Sequence, residues 1–155
     1  MPLNSAYAGK IYPPTAPYQV GREKIREFAA AIADDNPAYH DVAAARELGY
    51  PDVVAPPTFS FVLTMNAMTT AMFDPQIGLD YSRVVHGEQS FEIHRPIVAG
   101  DEVVVDATIE AIDGSGRHEF LTVRADVRTV AGEDLVTTRS ILVSRGTGAA
   151  AGGAS

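Results

Sequence analysis

Between Asp52 and Asp74 the chain carries no charged side chain, and this constrains the fold more than any other feature. Pro56-Pro57-Thr58 opens the stretch and Asp74-Pro75 closes it. Proline is tolerated in a first helical turn, where its missing N–H costs little. The spacing predicts a helix from this opening to about Phe73, with apolar residues around its whole circumference. A helix apolar all round has to be covered on every side. Eight prolines, serines, threonines and asparagines break the run between Val53 and Phe73, which makes it too polar for a membrane span. The expectation is a buried central helix and no membrane partner.

The flanking segments show what does the covering. Upstream, Ile25, Phe28, Ala29 and Ile32 form one stripe on a helix over 22–33, closed by Asp34-Asp35-Asn36-Pro37 because proline disfavours helical geometry in the residue before it. Asp41 is a good N-cap for a short helix to Leu48, with Gly49 as its stop. Met1 to Pro17 reads as an extended arm. From Tyr81 the period changes to two. Val103, Val105, Ala107, Ile109 and Ala111 alternate with mostly polar neighbours, as do Leu121, Val123, Ala125 and Val127, and a last run extends from Leu135 to Val143. Gly114-Ser115-Gly116 and Ala131-Gly132-Glu133 supply hairpin turns. Three strands in series read as an antiparallel meander with one buried face. The economical solution is an α+β domain over 1–145, an antiparallel sheet wrapped around the long buried helix. Residues 146–155, all but one Gly, Ala or Ser, read as a disordered tail.

Composition removes several functions. The 155 residues suit one domain, and the net charge of −8 argues against a nucleic-acid partner. The absence of cysteine excludes thiolate metal sites, disulfides and a thiol nucleophile. It also fits the cytoplasm, and Met1 to Tyr18 shows no apolar run behind a basic start that would mark a secretory signal. Four scattered histidines lack metal-ligand spacing, so no metal is expected.

The candidate chemistry lies in Asp34-Asp35-Asn36-Pro37-Ala38-Tyr39-His40 and in Gly49-Tyr50-Pro51-Asp52-Val53-Val54-Ala55-Pro56-Pro57-Thr58-Phe59. Asp34 and His40 leave a helix end together near the start of the central helix. A carboxyl group and an imidazole so placed suit acid/base work. The Pro-Thr helix start offers free amides and a positive dipole end to a developing oxyanion. Spacing alone equally admits a helix stop and a surface histidine. Asn36, Pro57, Thr58, Phe59 and Met65 form the candidate substrate-binding set. Met65, Met68 and Met72 line an acyl tunnel or simply pack the core. Lys24, Arg83 and Arg95 are candidates for a carrier phosphate, and His86 and His94 read as scaffold.

The Asp-x-Asn-Pro motif with a following histidine, Ala55-Pro56-Pro57-Thr58-Phe59, His86-Gly87-Glu88-Gln89-Ser90-Phe91 and His94-Arg95-Pro96 through Gly100-Asp101 resemble the MaoC-like (R)-hydratase/dehydratase family. Its N-terminal, FAS1-like dehydratase type is the nearest. Within that type the nearest group is a set of small actinobacterial proteins similar to the acyl-binding chain of the mycobacterial (3R)-hydroxyacyl-ACP dehydratase. The resemblance implies a hot-dog fold. It implies a hydro-lyase of fatty-acid metabolism, a (3R)-hydroxyacyl-thioester dehydratase or (R)-enoyl hydratase acting alone or as one subunit. It also implies no cofactor beyond the CoA or acyl carrier protein that bears the substrate, and a homodimer or a heterodimer with a second MaoC-like hot-dog subunit. The family's pattern is Asp-x-Asn-Pro-x-His. Aligned on Asn36-Pro37, the Asp is Asp34 and the His position holds Tyr39, with His40 one residue late; aligned on the Asp-to-His distance, the Asp is Asp35 and Asn36 comes one residue early, so no single register satisfies all four positions. Two readings stay open: Asp34 and His40 are catalytic, or the chain is an acyl-binding subunit whose partner carries the pair. A hot-dog thioesterase is a third.

Overall fold

The computed structural model describes residues 2–148. The three expected helices form. Helix α1 spans Arg22–Ala31 and turns Ile25 and Ala29 into the core. It ends two residues before the expected Ala33, because Ala33 adopts a left-handed conformation (φ 56°) that lets the Asp34 amide donate back to the Ala29 carbonyl at 2.9 Å. Helix α2, Val42–Glu47, is capped as expected: the Asp41 carboxylate accepts from the Ala43 amide, and Gly49 follows at φ 91°.

Helix α3 spans Ser60–Met72. It begins later than the prolines, because the Phe59 and Phe61 amides donate three residues back, to Pro56 and Thr58, and form a tighter turn first. The expected burial on every side is met on one face only. Ser60, Thr64, Ala67, Met68 and Ala71 are buried, while Met65, Asn66, Thr69 and Thr70 are exposed. One sheet has one concave face and covers one side of a helix, so the outer face stays open within a single chain.

The sheet has five strands: β1 Tyr18–Gln19, β2 Val84–Ile93, β3 Glu102–Ser115, β4 His118–Thr129 and β5 Asp134–Arg145. Their order is β1-β3-β4-β5-β2, and every pairing is antiparallel. The expected meander is β3-β4-β5. β2 crosses to the far side of β5 and becomes an outer strand. Val103, Val105, Ala107 and Ile109 on β3, Leu121, Val123, Ala125 and Val127 on β4, and Val136 and Leu142 on β5 close over α3 with Phe59, Ile25 and Ile77. This is the α+β hot-dog arrangement: a curled antiparallel sheet holding a central helix.

The N-terminal arm is built into this frame. Gly9, Tyr12 and Thr15 donate amides to the carbonyls of Ile109, Ala107 and Val105, so the arm runs along β3 beyond β1. It is fastened at the C-terminal end of α3, where the Asp74 carboxylate accepts from Lys10 Nζ and from the Tyr12 hydroxyl at 2.7 Å. Those two bonds hold the Asp74 carboxyl down to about 2, while burial, then Asp74 itself, raises the Tyr12 phenol. A carboxyl with a lowered folded value stabilises above its unfolded pKa, and that stability goes as pH falls through the folded value. The clasp is therefore expected to contribute ~1–2 kcal/mol near neutrality, lost as pH drops from about 4 to about 2. Urea unfolding of wild type and Asp74→Asn across that range checks it: the gap between them should close at the acid end.

At the other end, Thr147 is buried against Ser144, and the Gly148 amide donates to the Arg117 carbonyl. The remainder of the expected tail, 149–155, lies outside the described residues. Among the described residues no helix is long and apolar enough to cross a membrane.

Candidate functional site

The loop after α1 is held by its own side chains. The Asp34 carboxylate accepts the Asn36 amide at 3.2 Å, and the Asn36 side-chain carbonyl accepts the Ala38 amide at 3.1 Å. Pro37–Tyr39 then forms a single 3-10 turn. The His40 ring folds back: its Nε2–H donates to the main-chain carbonyl of Asp34 at 3.0 Å. A carbonyl only accepts, so this contact sets the tautomer. Arg26 Nε donates to the His40 carbonyl at 2.8 Å and ties the loop to α1. Among the described residues no hydrogen bond joins the Asp34 carboxylate to the His40 imidazole.

A second set of bonds brings the prolines alongside. The Val54 amide donates to Ala38, Ala55 to Ile97, and Ala99 to Val53, so residues 53–55 run between the loop and residues 97–99. The far wall is fixed by Arg95, whose guanidinium grips Asp101 at 3.0 and 3.1 Å and Glu133 at 2.9 and 3.2 Å. Asp101 in turn accepts the Val98 amide.

Between these walls lies a cavity of about 170 Å³, lined among others by Asn36, Tyr39, Tyr50, Pro57, Ile93 and Ile97. Burial first, then the nearby Asp34 charge, raises the Tyr39 phenol above its ordinary pKa, so it stays neutral and able to donate. α3 starts a few residues beyond Pro57 and its dipole favours negative charge at this end, but the free amides expected there are spent, Phe59 donating to Pro56, Phe61 to Thr58 and Val62 to Phe59.

The expected site residues are thus distributed. Asn36 and Pro57 line the cavity. Asp34 and His40 stand in the loop behind it, joined through the Asp34 main chain. Thr58 is exposed and is not among the lining residues. Phe59 is fully buried in the core, edge-on to Phe28 with ring centroids 5.6 Å apart. Met65 lines a separate pocket of about 220 Å³ between α3 and β2, with Phe61, Met72 and Tyr81. Tyr39 and Tyr50 are the cavity phenols outside the expected set. A signal for Tyr39 was present, since it holds the position of the histidine in the Asp-x-Asn-Pro-x-His register. Tyr50 stood inside the candidate segment Gly49 to Phe59 but without a role of its own, because only the fold of the Gly49 turn brings it round to the cavity.

The cations expected to meet a carrier phosphate are each occupied, Lys24 by Glu27, Arg83 by Asp80 and Arg95 by Asp101 and Glu133. His94 bonds Thr137 Oγ1 at 3.1 Å and His86 donates to the Glu88 carbonyl at 3.0 Å. Among the described residues no three His, Asp or Glu side chains gather as a metal ion would need.

The FAS1-like dehydratase domain region, as a family, matches residues 7–138. The chain belongs to that family. A UPF0336 protein of Saccharopolyspora erythraea is 54% identical over 147 residues, which cover 95% of this chain and 94% of the relative. Among solved structures, a MaoC-like dehydratase superposes with a TM-score of 0.85 at 37% identity, over 91% of this chain and 43% of that one. This FAS1-like chain therefore spans less than half the length of that structure. The HadBC (3R-hydroxyacyl-ACP dehydratase) complex from Mycobacterium tuberculosis superposes with a TM-score of 0.78 at 30% identity, over 88% of this chain and 96% of that one.

Proposed function

We propose that this FAS1-like chain is one component of a 3-hydroxyacyl-thioester dehydratase. It shapes the acyl site, and a second hot-dog chain supplies the acid/base pair. The observation that carries the reading is the side chain at the cavity. In the family's register the imidazole position holds the phenol of Tyr39, while His40 is engaged with the Asp34 carbonyl. A phenol raised above its ordinary value does not take a proton from carbon near neutral pH, so the base comes from elsewhere. The similarity to a complex named as a (3R)-hydroxyacyl-ACP dehydratase supports the substrate class and a hot-dog partner.

In this reading the partner's base removes the C2 proton of the acyl thioester, and its acid protonates the departing C3 hydroxyl. Water leaves and a trans-2-enoyl thioester remains. This chain contributes the apolar wall of Tyr50, Ile93 and Ile97, a neutral donor in Tyr39, and the positive dipole end of α3 nearby for charge on the thioester carbonyl. The carrier is CoA or acyl carrier protein, and elimination of water needs no metal or redox cofactor.

A second reading, that the chain acts alone through Asp34 and His40, rests on their sharing one loop. The two are separated by following loss of enoyl-thioester absorbance with crotonyl-CoA and a longer trans-2-enoyl-CoA. The purified chain alone is expected to show no hydration above background. Hydration that disappears in Asp34→Asn and in His40→Ala would establish the autonomous enzyme instead.

A further inference from the structure

β2 is bonded to β5 along one side and, among the described residues, has no strand neighbour along the other. That leaves an open row of amides and carbonyls over Val84–Ile93, the kind of edge that recruits another strand. Beside it lies an apolar flank of Phe61, Met65 and Met72, with the rings of Phe73 and Tyr81 exposed and stacked 5.2 Å apart. The outward face of α3 adds no charge. The hydroxyls of Thr69 and Thr70 are spent on the carbonyls of Met65 and Asn66, so they do not demand water. An uncharged helix face next to an open strand edge is a surface made to be covered.

The edge is not neutral, and its charge has one sign. Glu88 opposes Ile141, Ser90 opposes Arg139 and Glu92 opposes Thr137, so the three side chains share one face of the sheet. No Lys or Arg occurs from Val84 to Ile93. Arg139 lies 3.9 Å from Glu92 but is bound more closely by Glu110, at 2.8 Å. Glu88 has no ion pair among the described residues.

Consider two copies joined edge to edge about a two-fold axis perpendicular to the sheet. Such an axis keeps like faces together, so an outer-face residue can oppose only another outer-face residue. Centred on Ser90, Glu88 of each copy stands directly opposite Glu92 of the other. Centred on Glu88 or Glu92, a glutamate opposes itself. Centred on Gln89 or Phe91, glutamates meet on the diagonal. Each register from 88 to 92 thus sets carboxylate against carboxylate, which destabilises strand pairing. The net charge of −8 on each copy adds to the repulsion.

We infer that this edge is built for a different chain, one whose own edge strand presents Lys or Arg opposite Glu88 and Glu92. That the partner is a hot-dog chain rests on the dehydratase reading above; the charge selection stands without it. The acidic edge then does two things at once. It keeps copies of this chain apart, and it gives the mixed pair its affinity and register.

A charge-reversed copy of the chain serves as the probe. Sedimentation velocity is run on wild type, on Glu88→Lys/Glu92→Lys, and on their equimolar mixture. Both glutamates are exposed, and circular dichroism with thermal melting checks that the variant folds. The mixture is expected to pair at least tenfold more tightly than wild type pairs with itself. Raising salt from about 50 mM to about 500 mM should weaken the mixed pair, because screening removes the attraction. Glu27→Lys/Asp113→Lys changes net charge equally but lies away from β2, and its mixture with wild type should show no gain. Glu88→Lys alone gives an independent check, because pairing centred on Ser90 then sets unlike charges opposite each other, and this variant should dimerise by itself. A wild-type dimer as tight as the mixed pair, or no mixed pair at all, overturns the inference. The dehydratase reading fails separately, in turnover, since no substrate enters this experiment.

Discussion

Phe59→Ala is expected to cost the folded chain about 3–5 kcal/mol, the range for deleting a large buried aromatic ring. Phe59 has no exposed surface and meets Phe28 edge-to-face, with the ring planes at 84°. That geometry adds to what area burial alone provides. It also stands at the turn into α3, with φ −56° and ψ −33°, so the ring anchors the end of the helix nearest the cavity. Its loss removes both the packing and the fixed start of α3. Urea unfolding followed by circular dichroism measures the cost. Met65→Ala is the comparison: its side chain is 43% exposed, and the isolated chain should lose under about 1 kcal/mol. Both residues belong to the substrate-binding set read from the sequence, and the structure separates them. A change at Phe59 reaches any activity through stability. One at Met65 leaves the chain standing and reports on what covers α3.

The sequence foretold most of the local structure because local rules governed it. Most of the α1 stripe, the Asp41 cap, the Gly49 stop and the β3-β4-β5 meander follow from periods and turn residues that act within a few positions, but Ile32, the stripe's last member, falls past the end of α1 and is exposed. The strand order did not follow. β2 and β5 pair over residues up to sixty apart, and nothing in Val84–Ile93 names its neighbour. The length of α1 was overstated because the proline rule sets a limit, whereas Ala33 turned left-handed before that limit was reached. The charge-free run of α3 foretold a covered helix correctly in kind. How much of it one chain covers depends on the curvature and extent of the sheet, which no local pattern states.

The site was legible in the same partial way. Asn36 and Pro57 face the cavity because an Asx turn and a helix start have fixed geometry. Asp34 and His40 were brought together, but through a main-chain carbonyl. A one-residue displacement at the end of a 3-10 turn rotates a side chain by about a third of a turn, from one wall of the loop to another. Spacing tells that two groups are near each other, not which way they point. The apolar wall comes from Tyr50 and from Ile93 and Ile97, two stretches far apart in sequence that are joined only in the fold.

That rotation gives the other large expected effect. Tyr39→His completes the Asp-x-Asn-Pro-x-His pattern from Asp34 while leaving His40 free to keep its bond to the Asp34 carbonyl. It places an imidazole at the cavity wall, where the phenol now stands. A positioned acid/base group contributes about 10²–10⁴-fold in rate. The variant chain alone should therefore hydrate crotonyl-CoA at least ~10-fold above the wild-type background. Activity should rise with pH through about 6–7, because the unprotonated imidazole is the base and an unperturbed histidine titrates there. Adding Asp34→Asn should remove the gain, since the carboxyl group is the second member of the pair. Tyr39→Phe keeps the ring without the imidazole and should show no gain, which separates base chemistry from a mere change of cavity shape. A folded Tyr39→His variant without hydration would mean that the cavity at Asn36 and Pro57 is not where the thioester sits. The acyl chain would then have to be sought along the pocket between α3 and β2, where Met65 already stands.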